Sequence, residues 1–239
     1  MARKFGTALP GWKVPPRPDG IVLEGAAVRL ERMDPDLHAA DLFRAVSGHD
    51  DLWDYLPYGP FSSASAYHRW AKDTASGTDP LFYVIRQMDS GHCGGVASYL
   101  RITPQSGSIE VGHINLAPEL HRSRASTEAM FLMMDWAFAN GYRRYEWKCD
   151  ALNLPSRRAA QRFGFSFEGV FRQATIVKGR NRDTAWFSVI DGEWPALREA
   201  YRAWLDPRNF DAGGRQRESL SDLTRLVRPG SDPALKRPG

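Results

Sequence analysis

The chain has few cysteines and no long apolar segment. Only Cys93 and Cys149 occur in 239 residues, which excludes a disulfide framework and a four-cysteine metal site and is typical of a reducing cytoplasm. No apolar run approaches the roughly 20 residues of a membrane-spanning helix. The first 20 residues are basic but have no apolar h-region, so we expect no secretory signal. These absences favour a cytoplasmic protein without a membrane partner.

Positive charge is scarce where a nucleic-acid-binding domain needs it. Lys and Arg number 32 against 28 Asp and Glu, a net charge of +4. Residues 1–20 and 207–239 each contribute +3, which leaves a net charge of −2 for residues 21–206. Because a domain that binds nucleic acid presents a basic face on its folded part, this distribution disfavours a nucleic-acid partner.

Regular hydrophobic patterning lies between two ends of different composition. Residues 1–20 contain four prolines and few apolar side chains, which predicts an extended N-terminal arm. Residues 207–239 are rich in Gly, Arg, Ser, Asp and Pro. They predict a mostly flexible C-terminal tail with one short helix near residues 219–227. The remaining residues, 21–206, have the length of one domain with a sizeable core.

Helical and strand patterns alternate within residues 21–206. Three consecutive strands with short polar turns predict an antiparallel meander, and a later strand–helix–strand step predicts a parallel pair with a right-handed crossover. The fold class is therefore α/β, a mixed central sheet with helices on both faces. Predicted strands cover Val22–Arg32, Leu81–Gln87, Gly94–Thr103, Ile109–Leu116, Arg144–Cys149, Phe165–Val177 and Thr184–Ile190. Predicted helices cover Pro35–Ser47, Ala64–Ala75, Ser126–Asn140, Ser156–Phe163 and Trp194–Leu205.

The polar loop after Ile109–Leu116 is the first candidate for binding chemistry. It leads directly into a helix, and the free N–H groups and positive dipole end of a helix start suit a pyrophosphate. Arg122 and Arg124 add positive charge there. Hydroxyl groups that can donate to phosphate oxygens follow at Ser123, Ser126 and Thr127. The alternative interpretation is a plain capped turn with two solvated arginines.

This layout, together with Asn153-Leu154-Pro155-Ser156 and Gly164-Phe165-Ser166-Phe167-Glu168-Gly169, resembles the GNAT N-acetyltransferase superfamily. The most similar branch is the RimJ/RimL-like one, which resembles ribosomal-protein-alanine acetyltransferases. The resemblance covers about residues 22–192. It implies a GNAT-like sheet, an antiparallel meander plus a splayed parallel pair. It also implies transfer of an acetyl group from acetyl-CoA to a primary amine by direct attack in a ternary complex, a reaction without a metal.

One loop departs from the family pattern. The family's phosphate loop reads Gln/Arg-x-x-Gly-x-Gly/Ala, and this chain has His121, Arg124 and Ser126 at the first, fourth and sixth positions. Glycine lets a backbone approach a pyrophosphate closely and adopt unusual angles. The following Thr127-Glu128-Ala129 matches the branch, so we interpret the loop as a working variant.

The resemblance also implies roles for single residues. The strands Ile109–Leu116 and Arg144–Cys149 splay apart, and the gap takes the pantetheine arm. Asn153 holds that arm, Ser156 stands where the branch has its thiolate proton donor, and a backbone N–H near Leu116 faces the thioester oxygen. The implied cofactor-binding residues are Leu116, Arg122, Ser123, Arg124, Ala125, Ser126, Thr127, Asn153, Ser156 and Arg162. Helix capping by Asn153 or Ser156 is the competing explanation.

Glu110 is the candidate general base, acting directly or through a water. Strand alternation places Glu110 and His113 on opposite faces unless a bulge intervenes, so we expect one of them to face the amine. For Glu110 the alternative is a solvent-facing or ion-paired carboxylate, and for His113 we expect a packed, hydrogen-bonded side chain.

An aromatic loop stands where the family has its acceptor-binding loop. Its candidate acceptor-binding residues are Trp53, Asp54, Tyr55 and Tyr58. Packing of these rings over the core is the alternative. The acceptor is either a protein N-terminus or a small amine, and a homodimer is one of the oligomeric states left open. The rival function is an acyl-CoA-binding regulatory protein of the same fold without turnover.

Overall fold

The computed structural model of the protein describes residues 4–235. Its strands are β1 (Leu23–Glu24), β2 (Val28–Arg32), β3 (Leu81–Gln87), β4 (Cys93–Thr103), β5 (Ser108–Leu116), β6 (Arg144–Asp150), β7 (Ser166–Val177) and β8 (Arg180–Ile190). Its α-helices are α1 (Pro35–Val46), α2 (Ala64–Ala75), α3 (Arg124–Ala139), α4 (Leu154–Arg162), α5 (Trp194–Leu205) and α6 (Leu220–Arg225).

The strands form one sheet in the order β1-β2-β3-β4-β5-β6-β8-β7. Neighbouring strands are antiparallel except β5 and β6, which run parallel. Helix α3 makes the crossover between those two strands. The predicted meander with one parallel pair is confirmed.

Helices cover both faces of the sheet, as the sequence predicts. Helices α1 and α2 pack over β3 and β4 around a core that includes Leu42 and Phe82. Helices α3 and α5 pack on the opposite face around a larger core that includes Ile109, Met133 and Phe187. The two cores occupy opposite faces because successive side chains of a strand alternate.

The single strand predicted over Val22–Arg32 is wrong, because the chain turns between β1 and β2. The buried carboxylate of Glu128 on α3 accepts the three successive N–H groups of residues 26–28 at 2.9, 2.6 and 3.0 Å. A Cβ at Gly25 would collide with that carboxylate. Glu128 therefore satisfies the donors of the turn and requires a glycine beside it.

The N-terminal segment 4–20 has neither helix nor strand and lies against the sheet. Tyr142 Oη donates to the carbonyl of Pro16 at 2.9 Å. Arg17 Nη1 donates to the carbonyl of Ile102, also at 2.9 Å. These two hydrogen bonds hold the arm on the domain; residues 1–3 of the predicted arm lie outside the described residues.

The expectation of a mostly flexible tail does not hold for residues 207–235. Leu220 and Thr224 of α6 are fully buried. Asp232, which is 1% exposed, accepts two hydrogen bonds of 2.7 Å from the guanidinium of Arg157 on α4. The tail packs because a few apolar side chains and one carboxylate find partners on the domain; residues 236–239 lie outside the described residues.

Candidate active site

The parallel strands β5 and β6 are paired only along their first halves. Their ladder runs from Ser108 opposite Arg144 to Val111 opposite Trp147. Beyond that point β5 stays paired with β4, and β6 stays paired with β8. A gap therefore opens between residues 112–116 and 148–150, in the strand pair that the sequence predicts to splay.

Leu116 directs its backbone groups into this gap. The N–H of Ala117 donates to the carbonyl of Gly94 on the β4 side at 2.8 Å. Because backbone groups alternate in an antiparallel ladder, the N–H and C=O of Leu116 point away from β4. The ring of His121 lies 3.0 Å from the Leu116 carbonyl oxygen, which agrees with this direction. The Leu116 N–H is thus available to a ligand in the gap.

The first turn of α3 presents donors to the same end of the molecule. Ser123 caps the helix, and its Oγ accepts the N–H of Ser126 at 3.0 Å. The N–H groups of Arg124 and Ala125, which precede the capped one, find no acceptor within residues 4–235. Two free donors at the positive end of a 16-residue helix suit a phosphate oxygen.

The residues that replace the family's glycines do not need a glycine conformation. Arg124 and Ser126 are both helical, and the left-handed residue of this turn is Arg122, with φ 58°. The guanidinium of Arg124 donates to the carbonyl of Leu205 at 3.0 Å and lies 4.7 Å from the ring centre of Phe210. Its side chain is therefore held by the C-terminal segment, a contact that the sequence does not predict.

The hydroxyls of this turn bond mainly within it. Ser126 Oγ and Thr127 Oγ1 donate to the carbonyl of Ser123 at 3.2 and 3.0 Å. Thr127 is fully buried, and its Oγ1 also accepts Arg162 Nη1 at 3.2 Å. These side chains build the turn, and their hydroxyl protons are donated within it.

Arg162 is a largely buried cation beside the first turn of α3. It lies 5.1 Å from the ring centre of Trp204, and burial lowers its pKa. Neither Arg162 nor Arg124 has a carboxylate within 4 Å in the described part of the chain. Because an unpaired buried cation is costly, the two guanidiniums and the free N–H groups fit the diphosphate of a coenzyme A.

At the start of α4, only one of the two residues Asn153 and Ser156 caps the helix with its side chain. Asn153 is the cap, and its Oδ1 accepts the N–H of Ser156 at 3.0 Å. The Ser156 hydroxyl oxygen is not used for capping; it accepts the indole Nε1–H of Trp147 at 3.0 Å. Ser156 on α4 thus contacts Trp147 of the gap strand β6. Its own hydroxyl proton is not used for capping and is oriented near the Cys149 sulfur. Asn153 keeps its Nδ2 donor.

Cys149 is a buried free thiol on β6. Burial raises its pKa to about 11, against which a hydrogen bond from Ser156 and nearby arginines act. The thiol is protonated at neutral pH, and a protonated thiol is a poor nucleophile. The structure therefore gives Cys149 no role as an attacking group.

Glu110 is a buried carboxylate that holds two cations. It is 3% exposed, and its oxygens accept Arg101 Nη1 at 2.8 Å and Lys148 Nζ at 2.8 Å. Lys148 also binds Glu146 at 2.7 Å and lies 3.8 Å from the ring centre of Trp186. Glu110 therefore has the geometry of an ion-paired carboxylate, the alternative to a general base. The sequence does not predict Arg101 or Lys148 as its partners, because both lie on other strands.

His113 shares the sheet face of Glu110. Its φ of 52° marks a β-bulge, where the register with β4 shifts between Val96 and Ser98. The bulge turns His113 toward Tyr58, whose hydroxyl lies 2.9 Å from His113 Nδ1. Because of this bulge, Glu110 and His113 lie on the same face of the sheet, and the expected placement on opposite faces does not apply.

The His113 imidazole is neutral at pH 7. Burial lowers the pKa of His113 to about 4, with contributions from the positive charges of Arg101 and Arg182. Burial also raises the pKa of Tyr58, so the phenol stays protonated. The pair is a neutral, packed hydrogen bond, as we expect for His113.

The aromatic loop divides into a buried and an exposed half. Trp53 is 2% exposed and packs edge-on against Phe61, so core packing describes its ring. Tyr58 stacks on His113 at 5.6 Å between ring centres. Asp54 is exposed, and Tyr55, 39% exposed, donates from its hydroxyl to the Leu152 carbonyl at 3.3 Å.

The tip of the β7–β8 hairpin reaches this loop. Lys178 Nζ donates to the carbonyl of Trp53 at 2.8 Å. The hairpin tip, the aromatic loop and the bulge at His113 thus lie together on the sheet face opposite α3. Nothing in the local sequence around Lys178 predicts this long-range contact.

The described part of the chain holds neither a cluster of candidate metal ligands nor a helix that could span a membrane. Among residues 4–235, no three His, Cys, Asp or Glu side chains gather around a point that could hold a metal ion. Within the same residues, no helix is both long and apolar enough to cross a bilayer.

Comparison with known proteins points to one family. The model of the acetyltransferase (GNAT) domain matches residues 27–166, more than half of the chain. No curated protein matches the chain. A GCN5-related N-acetyltransferase from Brucella melitensis is 45% identical, with a TM-score of 0.89 over 91% of this chain and 100% of that one.

Two other solved structures extend the comparison. A probable acetyltransferase of the GNAT family from Chromobacterium violaceum is 43% identical, with a TM-score of 0.77 over 82% of this chain and 99% of that one. The ribosomal L7/L12 alpha-N-protein acetyltransferase RimL, solved with coenzyme A, is 20% identical, with a TM-score of 0.61 over 71% of this chain and 98% of that one. The RimL likeness concerns the fold alone.

Proposed function

Since the chain belongs to the GNAT acetyltransferase family, we propose that it transfers an acetyl group from acetyl-CoA to a primary amine by direct attack. The single observation that carries the proposal is the end of the β5–β6 ladder at Val111 and Trp147, which leaves the Leu116 N–H facing an open gap. Acetyl-CoA, when bound, supplies an activated thioester. The gap is the place where an extended pantetheine arm finds unpaired backbone groups.

The cofactor-holding groups line up along the gap. The N–H groups of Arg124 and Ala125, with Arg162, are the proposed diphosphate site. Asn153 Nδ2 is the proposed donor to the pantetheine arm. Leu116 N–H is the donor available to the thioester carbonyl oxygen, and such a donor stabilises the charge that develops there.

Two side chains are proposed to handle protons. Ser156 donates its hydroxyl proton to the leaving thiolate, since its oxygen already accepts from Trp147. Glu110 takes the proton of the amine, directly or through a water. Its buried carboxylate lies on the sheet face that also presents His113 and Tyr58.

The finer assignment follows the RimJ/RimL-like resemblance that residues 153–156 and 164–169 carry. We place the protein among enzymes that acetylate a protein N-terminus or a small amine, in the cytoplasm, where its two buried free thiols stay reduced.

A second function is favoured by one observation. Both oxygens of Glu110 accept hydrogen bonds from cations, an arrangement that suits a structural ion pair as well as a base. An acyl-CoA-binding regulatory protein would keep the gap and the phosphate site and make no use of Glu110 as a base.

Thiol release separates the two functions. The purified full chain is incubated with acetyl-CoA and a mixed panel of peptides and polyamines, and its thermal shift with acetyl-CoA is measured in parallel. We expect a shift, together with thiol release on at least one acceptor that Glu110→Gln lowers. A shift without release on any acceptor favours the binding protein, and no shift at all contradicts both.

A further inference from the structure

Arg182 on β8 is a half-buried cation that no carboxylate neutralises. Its Nε is buried and has no hydrogen-bond partner. On the same face of the sheet, Arg101 and Lys148 are paired with Glu110, and Arg144 is paired with Glu146. Within residues 4–235, Arg182 has no such partner within 4 Å. An unsatisfied buried donor is costly, and the unpartnered Nε of this cation points to a ligand that supplies an anionic acceptor.

Arg182 lies beyond the end of the gap strand β6, on the sheet face of the aromatic loop. β6 ends at Asp150, which pairs with Thr184 on β8. Arg182 lies two residues before Thr184 on β8 and so extends past the end of β6. By strand alternation it shares a sheet face with Lys148 and Trp186. Its charge also acts on His113, which lies beside the acceptor loop.

The two carboxylates nearest to Arg182 in sequence and in strand pairing, Asp150 and Asp183, accept hydrogen bonds from other groups. Asp150 Oδ1 accepts the N–H of Leu152 at 2.8 Å. Asp183 Oδ1 accepts the N–H of Gln173 at 2.8 Å and the Asn181 amide at 3.0 Å. These contacts stabilise the turn after β6 and the hairpin, and they leave the Arg182 charge free for a ligand.

We propose that Arg182 binds an anionic group of the acceptor, so that the preferred acceptor is a primary amine with a carboxylate or phosphate close to it. The inference rests on the proposed acetyl transfer and names the substrate class of the same site. Arg182 would hold the acceptor through its fixed fork of N–H donors, a geometry that matches carboxylate and phosphate. The amine would then face the gap near Leu116.

The test uses two matched pairs of acceptors that differ in charge. Ala-Asp-amide is compared with Ala-Asn-amide, and O-phosphoethanolamine with ethanolamine. These pairs separate a carboxylate from a phosphate as the anion. The ratio of kcat/KM within each pair is measured for the wild-type chain, Arg182→Gln, Arg182→Lys and Arg180→Gln. Arg180 is an exposed arginine of the same hairpin, so Arg180→Gln controls for the loss of one positive charge.

We expect the anionic member of at least one pair to be preferred about tenfold or more by the wild type and by Arg180→Gln, the effect of one charged hydrogen bond. Arg182→Gln should bring the ratio close to one, and Arg182→Lys should keep part of the preference. A ratio near one in the wild type for both pairs, or an unchanged ratio in Arg182→Gln, overturns the inference.

A binding measurement separates failure of this inference from failure of the proposed function. The thermal shift of each acceptor is recorded with coenzyme A present, which needs no turnover. If no acceptor releases thiol, the acetyl transfer is contradicted. In that case the Arg182 site is still supported if an anionic amine gives a thermal shift with the wild-type chain and no shift with Arg182→Gln. The absence of any such shift overturns it.

Discussion

Trp147 Nε1 donates a hydrogen bond to Ser156 Oγ at 3.0 Å, across the contact between β6 and α4. The indole has no acceptor capacity, so Ser156 must be the acceptor in this pair and must direct its own proton elsewhere. Asn153, three residues earlier, caps the helix in its place. Capping does not occupy the Ser156 hydroxyl, whose proton lies near the Cys149 sulfur of the gap strand β6.

Ser156→Ala should lower kcat about a hundredfold, within the usual range for loss of a general acid, and should leave the KM for acetyl-CoA nearly unchanged. The reason is that the hydroxyl acts on the leaving thiolate, which forms only after binding. Steady-state kinetics with saturating acceptor measure both constants. Trp147→Phe, which removes the indole donor together with some buried ring volume, is the control and should have a much smaller effect on kcat. An unchanged kcat in Ser156→Ala would remove Ser156 from the site.

Asn153 can be tested without breaking its cap. Aspartate caps helices as well as asparagine, so Asn153→Asp keeps the acceptor for the Ser156 N–H and loses the Nδ2 donor. We expect Asn153→Asp to keep its melting temperature and to bind acetyl-CoA about tenfold more weakly by calorimetry. Asn153→Ala should show the weaker binding and also lose roughly 1 kcal/mol of stability. Unaltered affinity in both variants would limit Asn153 to capping.

The low pKa of His113 predicts a pH-dependent stability. Because its pKa falls from the usual value near 6.5 to about 4 on folding, the unfolded chain binds more protons between these pH values. Acidification from pH 7 to pH 5 should therefore lower the free energy of unfolding by roughly 2 kcal/mol. Urea unfolding of His113→Asn, whose residue tolerates the left-handed backbone, should lack this contribution. Equal pH dependence of the two chains would contradict the neutral imidazole.

The ion pair between Arg157 and Asp232 should make the C-terminal segment part of the folded domain. Asp232→Ala leaves a buried guanidinium unpaired, so we expect about 3–5 kcal/mol less free energy of unfolding. The double variant Arg157→Met/Asp232→Leu removes both charges and should regain most of that loss. Thermal or urea unfolding measures each. A wild-type stability for Asp232→Ala would mean that the tail is not held as described.

Regular elements were predictable because their signals are local. The bounds of α2, β3 and α5 agree with the sequence patterns, since an amphipathic stripe or a run of β-branched and aromatic residues lies within each element. The family pattern likewise pointed to the strand pair that opens. These features depend on residues close to one another in the chain.

The remaining features depend on partners far apart in sequence. The turn between β1 and β2 is set by Glu128, about a hundred residues later. The bulge at His113 depends on the register of β5 against β4, and the pairing of Glu110 depends on Lys148 from β6. The packing of the tail depends on Arg157. Amino-acid composition predicts a flexible tail, because it does not show that a single carboxylate, Asp232, is buried against Arg157.

The central claim is that a coenzyme A thioester occupies the gap beside Leu116, and amide hydrogen exchange by NMR tests it most directly. Leu116 N–H faces the gap, whereas the neighbouring Ala117 N–H is already bonded to Gly94 and serves as an internal control. We predict that acetyl-CoA slows exchange at Leu116 by at least about tenfold and changes Ala117 little. Binding of acetyl-CoA with unaltered exchange at Leu116 would contradict the account.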